Sequence, residues 1–312
     1  MNIIHLGQGM RLRQWLQIVA EYPGAQSTAI VAAARTAQPL AGRIPIYGSL
    51  SDTLAAVTAD VAVVSGRKAT GWAIQALEAG LSVVMDEPGV LTLEDYRRLQ
   101  ALAEKNESAL RVPRRDRYAG CEKLVKRLLR SGRLGPIGLV SCMDNMGAAP
   151  TEDEEPFSQV SSCAPGHFQS LSDLFDARPM KVMARLGNGN GVAEITEVFL
   201  ELEGNLHVHY SGSRRPGNDV HELWIEGAEG SLRTDGNRVW WRKRGWRFFI
   251  PLRLGLLQTK REGRCERRAL EELGVEADSG QARGLFGIAA VAAAIESDRV
   301  GAPVDLSAVL SG

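Results

Sequence analysis

Several things this 312-residue chain lacks narrow its class before any motif is read. It has no net charge, because Lys plus Arg and Asp plus Glu number 37 each. A balanced chain sets up no general field towards nucleic acid or an anionic membrane, so neither is expected as a main partner. No uninterrupted apolar run reaches the roughly 18 residues a membrane span needs. Met1 to Leu6 enters a strand-like stretch without a charged leader and long apolar segment. No secretion signal is expected, and the cytoplasm is the expected compartment. Cysteine is scarce and scattered, at Cys121, Cys142, Cys163 and Cys265. That pattern has neither the CxxC spacing of a zinc site nor the density of a disulfide scaffold.

What is present is an alternation of short apolar strands and helices. Asn2–Leu6, Ser27–Ala34, Val61–Ser65 and Ser82–Met85 read as buried strands. Between them, helices are predicted over Met10–Glu21, from Ser51-Asp52 through Ala56, and over Ala69–Ala79. Another begins at the cap Thr92 and runs through Leu102. Units of about 30 residues in this order imply a doubly wound parallel sheet. Pro113-Arg114-Arg115-Asp116 reads as the way out of it, followed by a helix over Tyr118–Ser131.

From Ile137 the texture changes. Alternating segments at Ile137–Met143, Met180–Leu186, Glu194–Glu203, Asn205–Ser211, Glu222–Glu226, Ser231–Thr234 and Arg238–Arg242 predict a largely antiparallel sheet. Helices are predicted at Gly166–Phe175 and Gly284–Glu296. The expected fold class is α/β. A Rossmann domain over 1–117 precedes an α+β domain over 118–312 with a large open sheet.

Gly7-x-Gly9 directly after the first strand is the start of a dinucleotide fingerprint. The first glycine permits the turn, the second lets a pyrophosphate approach the backbone, and the helix N-terminus supplies amide donors. Leu12 stands where a third glycine is usual. The expected cofactor residues are Gly7, Gln8, Gly9, Met10 and Arg11, with Ser65, Gly66 and Arg67 after the third strand and Asp86, Glu87 and Pro88 after the fourth. An acid ending the second strand would bind the ribose of NAD. Here that stretch reads Ala32-Ala33-Ala34-Arg35-Thr36, with no acid. Arg35 and Thr36 therefore point to the 2′-phosphate of NADP, with NAD as the alternative. Arg35 as a solvent-facing loop arginine is the plainer reading.

The chain resembles the glucose–fructose oxidoreductase and inositol dehydrogenase family, Gfo/Idh/MocA. The resemblance lies in Gly7-x-Gly9, the stretch Ala76 to Pro88, the helix start Leu91-Thr92-Leu93-Glu94-Asp95, Arg133-Leu134-Gly135-Pro136-Ile137-Gly138, and more weakly Ile225 to Leu232. It implies an NAD(P)-dependent oxidoreductase acting on a small polar or sugar-like substrate. It also implies a homodimer or homotetramer through the open sheet. The family's Glu-Lys-Pro falls on Asp86-Glu87-Pro88, so Glu87 replaces the lysine. Its aspartate four residues before a histidine falls on Cys163, ahead of His167, and the next acid falls on Ser170.

His167, Glu87 and Cys163 are thus the candidate catalytic residues. A glutamate beside the imidazole would favour its protonated form, an acid rather than a base, which tilts the site towards reduction. Other readings stand beside this one. His167 as a satisfied core histidine and Glu87 as a strand-end surface acid are two. A C=N or conjugated C=C substrate is a third, and a degenerate nucleotide-binding scaffold is a fourth. Cys163 has no basic partner near it in sequence. No metal site is expected, because His207 and His209 share a strand face but lack a third ligand. Trp240 to Phe249 interleaves bases and aromatics, and a hairpin with an exposed Arg242–Gly245 turn explains it.

Overall fold

A computed structural model describes all residues except 8, 33–43, 67–68, 87–91, 113–120, 147–159, 161–163, 190–192, 215–218, 253–263, 275–279 and 312. The chain forms two compact units. The first comprises Met1–Arg115 and Arg261–Leu285, and the second Asp116–Lys260 and Phe286–Gly312. A single cut at 117 is too simple, because a later segment returns to the first unit.

The first unit holds strands β1 (Asn2–Leu6), β2 (Gln26–Val31), β3 (Ile46–Tyr47), β4 (Val61–Val64), β5 (Ser82–Met85) and β6 (Leu110–Arg111). They form one parallel sheet in the order β3-β2-β1-β4-β5-β6. The central strands are apolar on both faces because helices cover both. Every residue of β4 is buried. The helix Gly9–Ala20 sets Leu12, Trp15 and Val19 on one buried stripe. Side-chain oxygens cap two others: Ser49 accepts from the Asp52 amide at 3.1 Å and Thr92 from the Asp95 amide at 3.0 Å. The returning helix Arg264–Glu271 sends Ala269 and Leu270 into the core against Trp15, Ile18 and Val19. Arg111 donates to the Glu272 carbonyl at 2.9 Å.

His5 lies inside β1, fully buried, with Nε2 2.8 Å from Ser27 Oγ. Burial pushes its pKa down to about 3. The neutral form is the folded form, so below pH 6.5 only the unfolded chain takes up the proton. Stability is then expected to fall by about 1.4 kcal/mol per pH unit until the folded pKa is reached. That amounts to about 2 kcal/mol between about pH 7.5 and 5. Urea midpoints of the protein and of His5→Asn at both pH values check this; an equal acid drop in the variant would remove His5 as the cause.

The second unit holds β7 (Ile137–Met146), β8 (Pro179–Gly189), β9 (Ala193–Leu202), β10 (Leu206–Arg214), β11 (Val220–Gly227), β12 (Gly230–Thr234), β13 (Val239–Lys243), β14 (Ile250–Leu252) and β15 (Val304–Asp305). They form one sheet ordered β14-β13-β12-β11-β7-β10-β9-β8-β15. Its pairs are antiparallel except β7 with β10. Alternate residues point into the core: Val140 and Cys142, Val198, Leu200 and Leu202, Val208 and Tyr210, Leu223 and Ile225. Helices Glu122–Arg130 and Ala164–Phe175 and the alanine-rich stretch after Phe286 cover that face through Val125, Phe168, Leu171, Ala290 and Ala294. Gly287 allows close approach there, since a Cβ on it would lie 2.3 Å from the Pro165 carbonyl oxygen.

The opposite face leaves Leu139, Met143, Met183, Ile195 and Phe199 exposed. His209 sits on it, 2.6 Å from Glu197 and stacked on Phe199. Residues 239–252 make the expected hairpin, with Lys243 to Phe248 exposed. Among the described residues no helix is long and apolar enough to cross a membrane.

Candidate functional site

In the first unit the strand order reverses between β1 and β4, where a doubly wound sheet opens a crevice beyond its strand ends. Of the sequence-predicted residues, Gly7, Ser65, Gly66 and Asp86 lie at the strand ends there. Gly7 ends β1 and the helix starts at Gly9. The Ser65 amide donates to the Leu6 carbonyl at 2.9 Å, and the Asp86 amide to the Val64 carbonyl at 2.8 Å. A Cβ on Gly7 would lie 2.1 Å from Ser65 Oγ and 3.0 Å from the Ser65 carbonyl oxygen, so glycine lets these strand ends meet without displacing Ser65. Gly66 has φ +94° with no heavy atom within 4 Å of a Cβ position. That leaves bare backbone accessible to a ligand. A short turn, a helix N-terminus and an unencumbered glycine at the switch point fit a pyrophosphate.

Arg11 and Asp86 meet. The guanidinium forks onto both carboxylate oxygens and also reaches Glu266 at 3.2 Å and Gln14 at 2.6 Å. Burial alone would lower the Arg11 pKa, but hydrogen bonding and charge from Asp86 and then Glu266 outweigh it and hold the pKa up. Gln8, Arg35, Thr36, Arg67, Glu87, Pro88 and Cys163 lie outside the described residues. Gly9 and Met10 are described only as backbone in the first turn of their helix.

In the second unit the helix Ala164–Phe175 buries His167 completely. Its Nε2 lies 3.0 Å from Asp144 Oδ2, and its Nδ1 lies 3.6 Å from Cys142 Sγ. The other carboxylate oxygen, Oδ1, lies 3.5 Å from His221 Nδ1. The Tyr210 hydroxyl reaches Oδ2 at 3.4 Å. The imidazoles of His167 and His221 tilt together with centroids 4.7 Å apart. The sheet register makes this arrangement. His221 on β11 is the cross-strand partner of Asp144 on β7, with Gly212 of β10 on the other side.

Asp144, His167 and His221 also offer ligand atoms that all lie within 4.8 Å of one another. The two histidines address different carboxylate oxygens and the tyrosine adds a third donor. Both imidazoles approach the carboxylate at ion-pair distance, and the same three residues make up a donor set that a metal ion would accept. Buried Asn145, Gln169, Ser170 and Arg214 give the same unit further polar groups.

Sequence reasoning singled out His167 but not Asp144, His221 or Tyr210, which the fold places beside it. The signal was available: Asp144 continues the inward alternation of Val140 and Cys142, and His221 precedes Leu223 and Ile225 by the same step. A titratable side chain in core register asks for a partner.

Residues 2–113 match the oxidoreductase family with an NAD-binding Rossmann fold, the Gfo/Idh/MocA family. An uncharacterised oxidoreductase of Schizosaccharomyces pombe is 32% identical over 114 residues, 36% of this chain and 30% of that relative. The match thus spans about a third of either protein. The solved aldose–aldose oxidoreductase of Caulobacter crescentus, complexed with glycerol, is similar with TM-score 0.80 and 16% identity over 98% of this chain and 99% of that one. Biliverdin reductase of Synechocystis, complexed with biliverdin and NADP+, has TM-score 0.77 and 16% identity over 95% and 98%. Across the whole chain these likenesses show a shared fold.

Proposed function

We propose that this chain, a member of the Gfo/Idh/MocA family of oxidoreductases by its NAD-binding domain, is an NADP(H)-dependent reductase of a small polar or sugar-like substrate, with His167 as proton donor. The observation that carries this is the Asp144 carboxylate 3.0 Å from the buried His167 Nε2. A carboxylate at that distance stabilises an imidazolium, an acid, against the burial that disfavours its charge. Reduction of a carbonyl needs one, because the new alkoxide must be protonated. Glu87, where the family carries lysine, adds no positive charge to oppose that state.

Bound NADPH would supply the hydride. The backbone of the Gly7–Arg11 turn and of Ser65-Gly66 would hold its pyrophosphate, and Arg35 its 2′-phosphate. The exposed apolar face of the second sheet suits a homodimer or homotetramer. A second reading is a C=N or conjugated C=C substrate. Glu87 in place of lysine favours it, as does the likeness to a biliverdin reductase.

Thermal shift with each nucleotide tests the reading. NADPH at about 100 times its dissociation constant is expected to stabilise the protein by about 2.7 kcal/mol, and NADH at the same concentration by less. NADPH consumption is then followed over aldose, imine and tetrapyrrole panels. No shift with either nucleotide removes the enzyme reading. A shift without consumption leaves a nucleotide-binding scaffold.

A further inference from the structure

We infer that Asp144, His167 and His221 form a binding site for one divalent transition-metal ion, with zinc the best match. Two imidazoles and one carboxylate are a ligand set suited to such an ion, and three protein ligands leave a coordination position open. The site goes beyond the reading of His167 as proton donor and is tested without it.

Geometry carries the inference. Tetrahedral zinc holds nitrogen and oxygen ligands at about 2.0–2.2 Å, which sets the ligand atoms roughly 3.4 Å apart. His167 Nε2 lies 3.0 Å from Asp144 Oδ2, and His221 Nδ1 lies 3.5 Å from Asp144 Oδ1, so the two separations bracket that spacing. One ligand atom from each residue falls within 4.8 Å of the other two. The three side chains come from β7, β11 and the helix Ala164–Phe175. Register between paired strands sets Asp144 beside His221, so regular structure holds the set together.

The surroundings match those of a ligated site. A ligating histidine usually gives its second ring nitrogen a partner, and a ligating carboxylate is itself hydrogen-bonded. With Nε2 turned to the ion, His167 Nδ1 carries the ring proton, 3.6 Å from Cys142 Sγ. The Tyr210 hydroxyl donates to Asp144 Oδ2 at 3.4 Å. Side-chain exposure is 0% at His167, 2% at Asp144 and 14% at His221, so little water competes for the ligand atoms. An ion enters such a closed site as the chain folds round it, and no channel from solvent is needed. An ion on His167 Nε2 takes the lone pair that would carry a proton there. On the proton-donor reading, reduction therefore belongs to the metal-free form and the loaded chain is inactive.

The full chain, without an affinity tag, is produced in medium containing zinc or, separately, cobalt. One equivalent of either ion is expected in the purified protein. X-ray absorption at the zinc edge is expected to show two imidazoles, oxygen and no sulfur, and the cobalt form no thiolate charge-transfer band. These readings need no variant. By chelator competition, His167→Gln, Asp144→Asn and His221→Gln are each expected to weaken binding by more than about 100-fold, beyond the 10- to 100-fold that losing a supporting partner costs. Cys142→Ala and Tyr210→Phe are expected to fall within that lower range, and His207→Gln and His209→Gln to leave affinity unchanged. Less than stoichiometric metal, sulfur in the shell, fewer than two imidazoles, or a loss in the His207 or His209 variants equal to that in His221→Gln overturns the site. A chain that takes up no metal leaves the proton-donor role of His167 standing. Bound zinc that leaves NADPH turnover undiminished removes that role and keeps the site.

Discussion

Turnover of NADPH is expected to fall by about 10²- to 10⁴-fold when His167 becomes alanine, the usual contribution of a positioned general acid. The Michaelis constant is expected to change little. On the proposed reading the imidazole would act on charge that develops in the transition state, and losing such a group lowers kcat and kcat/KM together. The competing reading, a core histidine that only packs, makes the opposite prediction. His167 is fully buried against Tyr210 and His221. A packing role therefore gives lower stability with kcat unchanged at a temperature where the variant is folded. Asp144→Asn separates the two further. It keeps the volume and removes the charge that favours imidazolium, so it is expected to lower kcat while leaving the substrate site intact. Equal kcat in His167→Ala and the parent, on a substrate found by the panels, would end the assignment.

The sequence carried the first unit well where elements are long enough to show a pattern. β1 and β5 run over the residues predicted for them. The capping side chain of Thr92 lies where the Thr-x-x-Asp spacing places it. The two-residue strands β3 and β6 were not legible, because two residues make no period. Nor was the returning helix Arg264–Glu271. Its residues are mostly charged, and its hold on the core comes from Ala269 and Leu270, too few to mark an apolar face.

The site was half legible for a related reason. The strands carrying Asp144 and His221 were drawn short, as Ile137–Met143 and Glu222–Glu226, because both alternations turn polar at those ends. The observed β7 and β11 continue through those residues. The partner expected for His167 was sought just ahead of its own helix, at Cys163, or at Glu87. The partner observed comes from a strand 23 positions before it, through a sheet register that only the folded chain defines.

Loss of Arg11 is expected to cost about 3–5 kcal/mol of folding stability, the usual penalty for removing one partner of a buried ion pair. Arg11→Met keeps most of the aliphatic stem and removes the fork. Two carboxylates converge on that guanidinium, and their side chains are 2% and 7% exposed. Without it, Asp86 and Glu266 face one another with no shared cation, and one must take up a proton or move to water. Arg11→Lys is expected to recover only part of the loss, because an ammonium cannot address both oxygens of Asp86 and Glu266 at once. In the double variant Arg11→Met/Asp86→Asn, much of the cost should return as coupling energy, read from urea midpoints at constant slope.

The experiment also decides what Arg11 is for. As a cofactor residue only, standing free to meet a phosphate, it would leave the nucleotide-free protein within about 0.5 kcal/mol of the parent, as a typical surface substitution does. The NADPH shift alone would then be lost. As the clasp between the dinucleotide turn, the end of β5 and the returning helix, it lowers stability before any nucleotide is added. The fork onto Asp86 and the reach to Glu266 favour the clasp. On that reading the nucleotide meets the backbone of the turn, and the Arg11 guanidinium is already committed to Asp86 and Glu266.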